Sequence, residues 1–379
     1  MQKIKCLLVI GTRPEAIKMV PVIRELNKSN KFEVMVCNTG QHASMLDQVM
    51  ELFDIKVDFE LKVIQTSKNL HEVTANVYTG VSNILIQNSF DLVLVHGDTS
   101  TCLSSSLASF YSGVPVAHIE AGLRSGDVNA PWPEEINRIL VGRLASLHFC
   151  PTVEAKKNLL NEGVSSKKAF VVGNTVIDTL FSITQELEND LHQSTVRNPI
   201  LNVIDDNKKL ILVTGHRREN FGSGFKNICE SLKEISQDKS VQLVYPVHLN
   251  PNVQHPVYEL LDDIDNVILC EPLDYMSFVH LMIKSYFIIT DSGGIQEEAA
   301  FLGKPVLLMR ETTERPEAVE NGNVRLVGTD QAEIVAQAQL LMNNNTEYLC
   351  SAKPTKIFGD GNSAKKIIVE IENYLYKKF

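Results

Sequence analysis

The sequence of 379 residues contains 36 Lys and Arg residues and 46 Asp and Glu residues, which gives a formal net charge of −10 at pH 7. At roughly 150 residues per domain, this length predicts two domains, each large enough for its own hydrophobic core. The hydrophobic content of 44% excludes a disordered or fibrous protein, and the acidic balance excludes a nucleic-acid-binding surface.

Short apolar runs alternate with longer amphipathic segments in the first half of the chain. Strand-like runs lie at 5–10, 32–37, 91–96, 114–119 and 146–150, and helical periodicity lies at 14–28, 43–53, 68–88, 99–111 and 134–145. Continuous apolar strands separated by helices are typical of a parallel sheet covered on both faces. The first run stops at Gly11 without a small-residue cleavage site, so we interpret it as a buried strand and not as a signal peptide.

The pattern restarts in the second half, with strand-like runs at 209–214, 241–246, 266–270, 286–290 and 305–309. Residues 184–207 are polar and weakly periodic, which predicts a linker, and residues 363–379 resemble an amphipathic helix. The sequence therefore predicts an α/β fold of two doubly wound, Rossmann-like domains. We expect the ligand to lie in a central cleft that faces the carboxyl ends of the strands.

Other features of the sequence predict a cytoplasmic location. No window approaches the roughly 18–20 apolar residues of a membrane span. The seven cysteines are far apart and several lie inside apolar runs, which indicates reduced core thiols and neither a disulfide framework nor a zinc site.

Two loops that follow buried strands have features of anion-binding sites. Gly11 permits a tight turn, Pro14 suits a first helical turn, and Arg13 can form a forked bond to a phosphate, although a solvated Arg in an ordinary turn explains the pattern equally well. Gly293 and Gly294 open a helix whose free N–H groups and dipole favour an anion, unless the glycines serve packing alone.

The sequence gives no sign of a cofactor or metal. Neither glycine-containing loop matches the dinucleotide fingerprint or the P-loop, and neither pattern occurs elsewhere in the chain. The His, Asp and Glu residues also lack metal-ligand spacing. We therefore expect no metal, no nicotinamide cofactor and no NTP hydrolysis.

Four residues that follow apolar segments are candidates for acid–base chemistry. Asp98 and Glu120 end neighbouring strand-like runs, and a carboxylate has no routine structural role at the end of a buried strand. Asp98 could instead cap a helix, and Glu134 could simply favour a first helical turn. His216 follows the run 209–214 beside two arginines, which slightly favours a functional role over a structural one.

Eight segments that carry polar or glycine residues are spread in order over almost the whole chain: Gly11-Thr12-Arg13-Pro14-Glu15, His96-Gly97-Asp98, His118-Ile119-Glu120, Pro131-Trp132-Pro133-Glu134-Glu135, Gly173-Asn174-Thr175, Thr214-Gly215-His216-Arg217-Arg218, Asp291-Ser292-Gly293-Gly294 and Thr313-Glu314-Arg315-Pro316. Together these segments resemble the bacterial non-hydrolysing UDP-N-acetylglucosamine 2-epimerases.

The resemblance implies a GT-B fold with an N-terminal domain of residues 1–172 plus a returning helix, 362–379, and a UDP-binding domain of residues 173–361. It also implies a cytoplasmic homodimer that interconverts UDP-GlcNAc and UDP-ManNAc without a metal or a nicotinamide, for polysaccharide synthesis. The residues that match the family's catalytic group are Asp98, Glu120, Glu134 and His216. Those that match its UDP contacts are Arg13, Lys18, Phe278, Ser292, Gly293, Gly294, Glu298 and Arg315.

Some family members bind a second UDP-GlcNAc as an activator. Gln41 and His42 fit that pocket, but Ser44, Ser67 and Lys68 stand where larger amide or guanidinium groups are expected. Allosteric activation therefore stays open.

The chemistry of the substrate explains why carboxylates are needed. The proton on C2 of the sugar is not acidic until UDP begins to leave C1, so elimination to a glycal and re-addition of UDP is the route that needs no oxidant. Carboxylates can stabilise the cationic transition state and move protons on both faces of C2. The alternatives are a hydrolysing epimerase that releases UDP and ManNAc, a GT-B glycosyltransferase, and a non-catalytic UDP-sugar sensor.

Overall fold

The computed structural model describes residues 3–40, 43–189 and 199–376. The chain divides into two compact units, unit 1 with Met1–Phe181 and Phe358–Phe379, and unit 2 with Ser182–Ile357. The sequence predicts domain boundaries at 172/173 and 361/362, and these boundaries stay a prediction.

Unit 1 contains a seven-stranded parallel sheet with the order β3-β2-β1-β4-β5-β6-β7. Its strands are β1 (Ile4–Ile10), β2 (Phe32–Asn38), β3 (Phe59–Glu60), β4 (Leu92–His96), β5 (Val116–Ile119), β6 (Leu147–Cys150) and β7 (Ala169–Val171). The helices between them are α1 (Arg13–Lys28), α2 (Ala43–Leu52), α3 (Val63–Thr66), α4 (Leu70–Gln87), α5 (Ser100–Tyr111), α6 (Glu134–Leu144) and α7 (Val153–Asn161). Helix α8 (Thr175–Asn189) follows β7, and the division between the two units falls within it, after Phe181.

The core of unit 1 lies on both faces of this sheet. Every residue of β4 is buried, which requires cover on both sides because successive side chains of a strand point to opposite faces. On one face, Val93 and Val95 belong to the same apolar cluster as Val77 and Val81 of α4.

Unit 2 repeats the architecture with a six-stranded parallel sheet of order β10-β9-β8-β11-β12-β13. Its strands are β8 (Lys209–Thr214), β9 (Val241–Pro246), β10 (Val267–Cys270), β11 (Phe287–Thr290), β12 (Val306–Leu308) and β13 (Val324–Leu326). Its helices are α9 (Ser223–Ile235), α10 (Pro251–Leu261), α11 (Tyr275–Lys284), α12 (Gly293–Leu302), α13 (Pro316–Glu320), α14 (Gln331–Asn343) and α15 (Asn345–Ser351).

The last helix, α16 (Ser363–Tyr376), belongs to unit 1. The Asp178 side chain of α8 receives hydrogen bonds from the backbone N–H groups of Ser363, at 3.1 Å, and Ala364, at 2.8 Å. These are N–H groups that the start of a helix leaves without partners of its own, so Asp178 caps α16 and fastens it to unit 1.

The structure confirms the predicted fold class of two doubly wound, Rossmann-like α/β domains. Each predicted strand is present, and the short strands β3, β7 and β13 are additional. The predicted linker 184–207 is partly wrong, because residues 184–189 continue α8 and residues 199–203 form a 3₁₀ helix.

Two further sequence predictions concern cysteines and membrane segments. All seven cysteines are free, and five of them are buried, whereas Cys270 is half-buried and Cys350 is exposed. None of the helices in the described ranges combines the length and apolarity needed to cross a membrane.

Candidate active site

The strand order of unit 1 brings three loops that carry candidate site residues to one edge of the sheet. β1 is hydrogen-bonded to β4, and β4 to β5, so the loops that begin at Gly11, Gly97 and Glu120 are neighbours. The strand order reverses between β1 and β4, since β2 and β3 lie on one side of β1 and β4 to β7 lie on the other. Doubly wound sheets bind ligands at such a topological switch point.

Glu120 lies at the centre of the unit 1 site. Its Oε2 atom accepts hydrogen bonds from Lys18 Nζ and, at 2.6 Å, from Asn174 Nδ2. The Nε2 atom of the buried His96 lies 3.8 Å from the same oxygen. Glu120 has a backbone φ of 62°, a region that non-glycine residues seldom adopt and that is concentrated at functional sites.

Two side chains of α6 hold Asp98 in place. Its Oδ2 atom accepts a hydrogen bond from Arg138 Nη2, and its backbone carbonyl accepts one from Asn137 Nδ2 at 2.8 Å. Arg138 also donates to the buried Glu135 at 2.9 Å. The carboxylate of Glu120 leans toward the same loop, since its Oε1 lies 3.5 Å from the position that a Cβ on Gly97 would occupy. The structure therefore brings Asp98 and Glu120 together.

A buried capping box shapes the loop that carries Arg13. The Glu15 carboxylate accepts hydrogen bonds from the N–H groups of Gly11, at 3.0 Å, and Thr12, at 2.7 Å, and from the hydroxyl of Thr99 at 2.7 Å. Burial raises the pKa of Glu15 to about 7, in spite of these hydrogen bonds. Glu15 thus ties the loop after β1 to the residue that follows Asp98, and Arg13 is half-buried at the first position of α1.

The histidines of this edge are buried and neutral near pH 7. Burial lowers the pKa of His96 to about 4, against the attraction of Glu120, and burial likewise lowers the pKa of His118 to about 4. His118 Nε2 is 2.7 Å from the carbonyl of Gly97. Both rings therefore serve this edge of unit 1 as uncharged groups.

Three candidates of unit 1 remain, Glu134, Gln41 and His42. Glu134 is half-buried at the first position of α6, where a carboxylate suits the helix dipole. Gln41 and His42 lie outside the described residues.

In unit 2, the loop that carries His216 is held by Asp291. The fully buried Oδ2 atom of Asp291 accepts hydrogen bonds from the N–H groups of His216 and Arg217, both at 2.8 Å. Its Oδ1 atom lies 3.4 Å from His216 Nδ1, and the imidazole stacks on that of His248 with centroids 5.5 Å apart. The His216 side chain is 44% exposed, so it is oriented yet accessible.

The start of α12 has the geometry of an anion site. Ser292 is the N-cap residue, and a Cβ on Gly294 would meet nothing within 4 Å, so the backbone there is open to a ligand. One turn later, the buried Glu298 accepts a hydrogen bond from the hydroxyl of Tyr275 at 2.6 Å. Phe278 is half-buried on the neighbouring helix α11.

Arg315 lies against the same helix start. Its Nε atom donates to the buried Glu297 at 2.5 Å, and its Nη1 atom lies 2.7 Å from the position of a Cβ on Gly293. A side chain at position 293 would therefore force the guanidinium to shift.

The described part of the chain, with gaps at 41–42 and 190–198, contains no cluster of three His, Cys, Asp or Glu residues that could hold a metal ion.

Comparison with known proteins identifies the family. The model of the UDP-N-acetylglucosamine 2-epimerase family matches residues 24–372. The UDP-N-acetylglucosamine 2-epimerase of Salmonella typhimurium is 51% identical over 374 residues, which covers 98% of this chain and 99% of the relative. The chain belongs to the UDP-N-acetylglucosamine 2-epimerase family.

Solved structures of the epimerase family share the whole fold. The enzyme from Neisseria meningitidis, bound to UDP-GlcNAc, matches with a TM-score of 0.94 at 46% identity, over 98% of this chain and 100% of that chain. A UDP complex from S. aureus matches with a TM-score of 0.92 at 40% identity, over 98% of this chain and 97% of that chain. These matches confirm the family resemblance and the GT-B-like fold.

The epimerase motifs pointed to Asp98 and Glu120 but not to the side chains that hold them. Arg138 and Asn174 contact these carboxylates across 40 and 54 residues of sequence. Lys18 was expected at the UDP, and the structure places its amino group on Glu120. The sequence did offer one clue to Asn174, because this residue lies inside a segment that resembles the family, Gly173-Asn174-Thr175.

Proposed function

We propose that this protein is a non-hydrolysing UDP-N-acetylglucosamine 2-epimerase, which interconverts UDP-GlcNAc and UDP-ManNAc through a 2-acetamidoglucal intermediate. The observation that carries the proposal is the pair of carboxylates at adjacent strand ends, Asp98 and Glu120, each bonded to a basic side chain. Membership of the epimerase family supports it.

The reaction proceeds in two balanced steps. In the first, the bond between C1 and the diphosphate oxygen breaks, UDP leaves with the electron pair, and a carboxylate takes the C2 proton, which forms the C1–C2 double bond. In the second, UDP adds back to C1 and C2 receives a proton on its opposite face. Two proton-transfer groups are therefore required, and Asp98 and Glu120 supply them, with Glu134 as a third carboxylate near the cationic sugar.

In this proposal, unit 2 binds the UDP part of the substrate. The N–H groups at the start of α12 and the helix dipole suit a diphosphate, and Glu298 suits a ribose hydroxyl. His216 is oriented by Asp291 and can donate a hydrogen bond to the departing phosphate. Phe278 and Arg315 complete the proposed UDP contacts of unit 2 by resemblance to the family.

The family resemblance also supports three proposals about context. The protein works as a cytoplasmic homodimer, it needs no metal or cofactor, and its product supplies ManNAc units for cell-surface polysaccharide. A second UDP-GlcNAc site at Gln41 and His42 remains a prediction.

Proton and phosphorus NMR of UDP-GlcNAc incubated with the pure protein tests this function. The expected result is UDP-ManNAc in equilibrium with UDP-GlcNAc, with no free UDP accumulating over time. Free UDP together with ManNAc would instead identify a hydrolysing epimerase. Consumption of substrate that requires an added acceptor would identify a glycosyltransferase, and tight binding without turnover would identify a sensor.

A further inference from the structure

A row of five charged side chains in unit 2 connects the His216 loop to the start of α12. Arg310 Nε donates to Glu219 at 3.0 Å, and Arg310 Nη1 donates to Glu314 at 2.9 Å. Arg315 Nη1 lies 3.6 Å from Glu314, and Arg315 Nε donates to Glu297 at 2.5 Å. We name this row, Glu219, Arg310, Glu314, Arg315 and Glu297, the charge row.

Most of the charge row is removed from water. Arg310 is 4% exposed, Glu314 4%, Arg315 6% and Glu297 0%, whereas the Glu219 side chain is 42% exposed. Burial alone would raise the pKa of Glu314, but the neighbouring Arg315 and Arg310 lower it to about 2. The centre of the row therefore stays charged at physiological pH.

Both ends of the His216 loop are fastened. At its beginning, the N–H groups of His216 and Arg217 are bonded to Asp291. At its end, Asn220 donates to Asp291 at 3.3 Å and to the carbonyl of Met309 at 3.2 Å, next to Arg310. Arg310 thus follows β12 and reaches the far end of a loop that follows β8.

Buried ion pairs of this kind add little net stability, because the cost of desolvation offsets their attraction, but removing one partner leaves an uncompensated buried charge. A guanidinium can hold two carboxylates at fixed angles at the same time, which a lysine amine cannot do equally well. Arg310 has no role in the chemistry described above.

We propose that Arg310 is a positioning residue, which through the charge row holds His216 in a fixed relation to the diphosphate-binding start of α12. This proposal rests on the proposed function for its kinetic consequence. Its structural consequence, a loop 215–221 that opens more often when Arg310 is replaced, does not depend on that function.

Hydrogen–deuterium exchange of the segment 215–221, followed by mass spectrometry of the full chain, tests the structural consequence. Arg310→Lys is expected to speed exchange in this segment at least tenfold. Glu219→Gln, which changes only the exposed end of the row, is expected to speed it less. Arg325→Lys is the matched control, since Arg325 is also paired with a carboxylate of unit 2, Glu347 at 2.9 Å, and should leave exchange in the segment unchanged.

Turnover supplies the second readout. Arg310→Lys is expected to lower kcat about tenfold while the UDP dissociation constant changes less than threefold. In the His216→Asn background the same substitution should lower kcat less than twofold, because a residue that acts through His216 has nothing left to position. A merely structural role would multiply the two losses.

Unchanged exchange of the segment 215–221 in both variants overturns the proposal, and so do multiplicative kinetic losses. An inactive wild-type protein overturns the proposed function instead. In that case the exchange result alone decides whether Arg310 holds the loop.

Discussion

Asp98, Glu120 and Glu15 are carboxylates at one edge of a sheet, yet their surroundings suit different tasks. Arg138 and Lys18 orient Asp98 and Glu120, whose side chains are 24% and 7% exposed at the strand ends. Glu15 is 2% exposed and is held by backbone N–H groups and a hydroxyl, so it serves the loops themselves. This difference in partners supports the proposed reacting role of Asp98 and Glu120 and a structural role for Glu15.

Replacing either proposed catalytic carboxylate should lower turnover strongly without weakening the binding of UDP. Asp98→Asn and Glu120→Gln are expected to lower kcat by at least about 100-fold, because an amide cannot take or return the C2 proton. The UDP dissociation constant, measured by calorimetry, should stay within about threefold. Glu154→Gln, an exposed carboxylate of α7 paired with Lys157, is the control, and near-normal kcat in either site variant would remove that residue from the mechanism.

Glu15 should make stability depend on pH. Its folded pKa of about 7 exceeds the ordinary 4.5, so its contribution to the free energy of unfolding is fully present below pH 4.5 and is lost as the pH rises through 7. The stability of the wild type relative to Glu15→Gln should fall by at most about 3 kcal/mol between pH 4.5 and 7.5. Urea unfolding at several pH values measures this difference, and a pH-independent difference would contradict the account.

Among the helices and strands, the candidate functional residues lie where strands end and helices begin. The loops after β1, β4 and β5 carry Arg13, Asp98 and Glu120, and those after β8 and β11 carry His216 and the start of α12. The sequence predicted these positions because buried apolar runs make a following polar residue conspicuous. It could not predict the backbone φ of Glu120 or the bond from Arg138, since both depend on packing between distant segments.

The start of α12 offers a test of the diphosphate site. Gly294→Ala should fold normally, because a Cβ there meets nothing within 4 Å and alanine favours a helix. The added methyl group should keep a phosphate from the backbone N–H groups and weaken UDP binding about tenfold or more. Calorimetry with UDP measures the change, with thermal unfolding as the check on folding. Wild-type affinity in this variant would contradict a diphosphate at the start of α12.

The attachment of α16 is a second property of an element. Asp178→Ala removes the acceptor for two N–H groups at the start of α16 and should lower the stability of the protein by about 1–3 kcal/mol. Lys365→Ala, on the exposed face of the same helix, should change stability by less than about 0.5 kcal/mol. Urea unfolding of the two variants compares them, and equal effects would argue against the cap.

At the scale of the whole molecule, apolar periodicity was sufficient to predict two doubly wound domains but not their edges. The strands β3, β7 and β13 contain two or three residues each, too few for a periodic pattern to be visible. Likewise Glu134 was singled out beside Pro133, whereas its neighbour Glu135 is the buried residue that braces Arg138. The family resemblance identified candidate residues, and the structure supplied the contacts that orient them.

In the proposed reaction, the protein removes a proton from C2 of a UDP-sugar and returns a proton to the opposite face of the same carbon. Proton NMR of UDP-GlcNAc incubated with the protein in D2O follows this exchange at C2. We expect UDP-ManNAc that carries deuterium at C2, and the C2 proton signal of the substrate should fade as equilibrium is approached. UDP-ManNAc that retains the original proton at C2 would contradict this reaction.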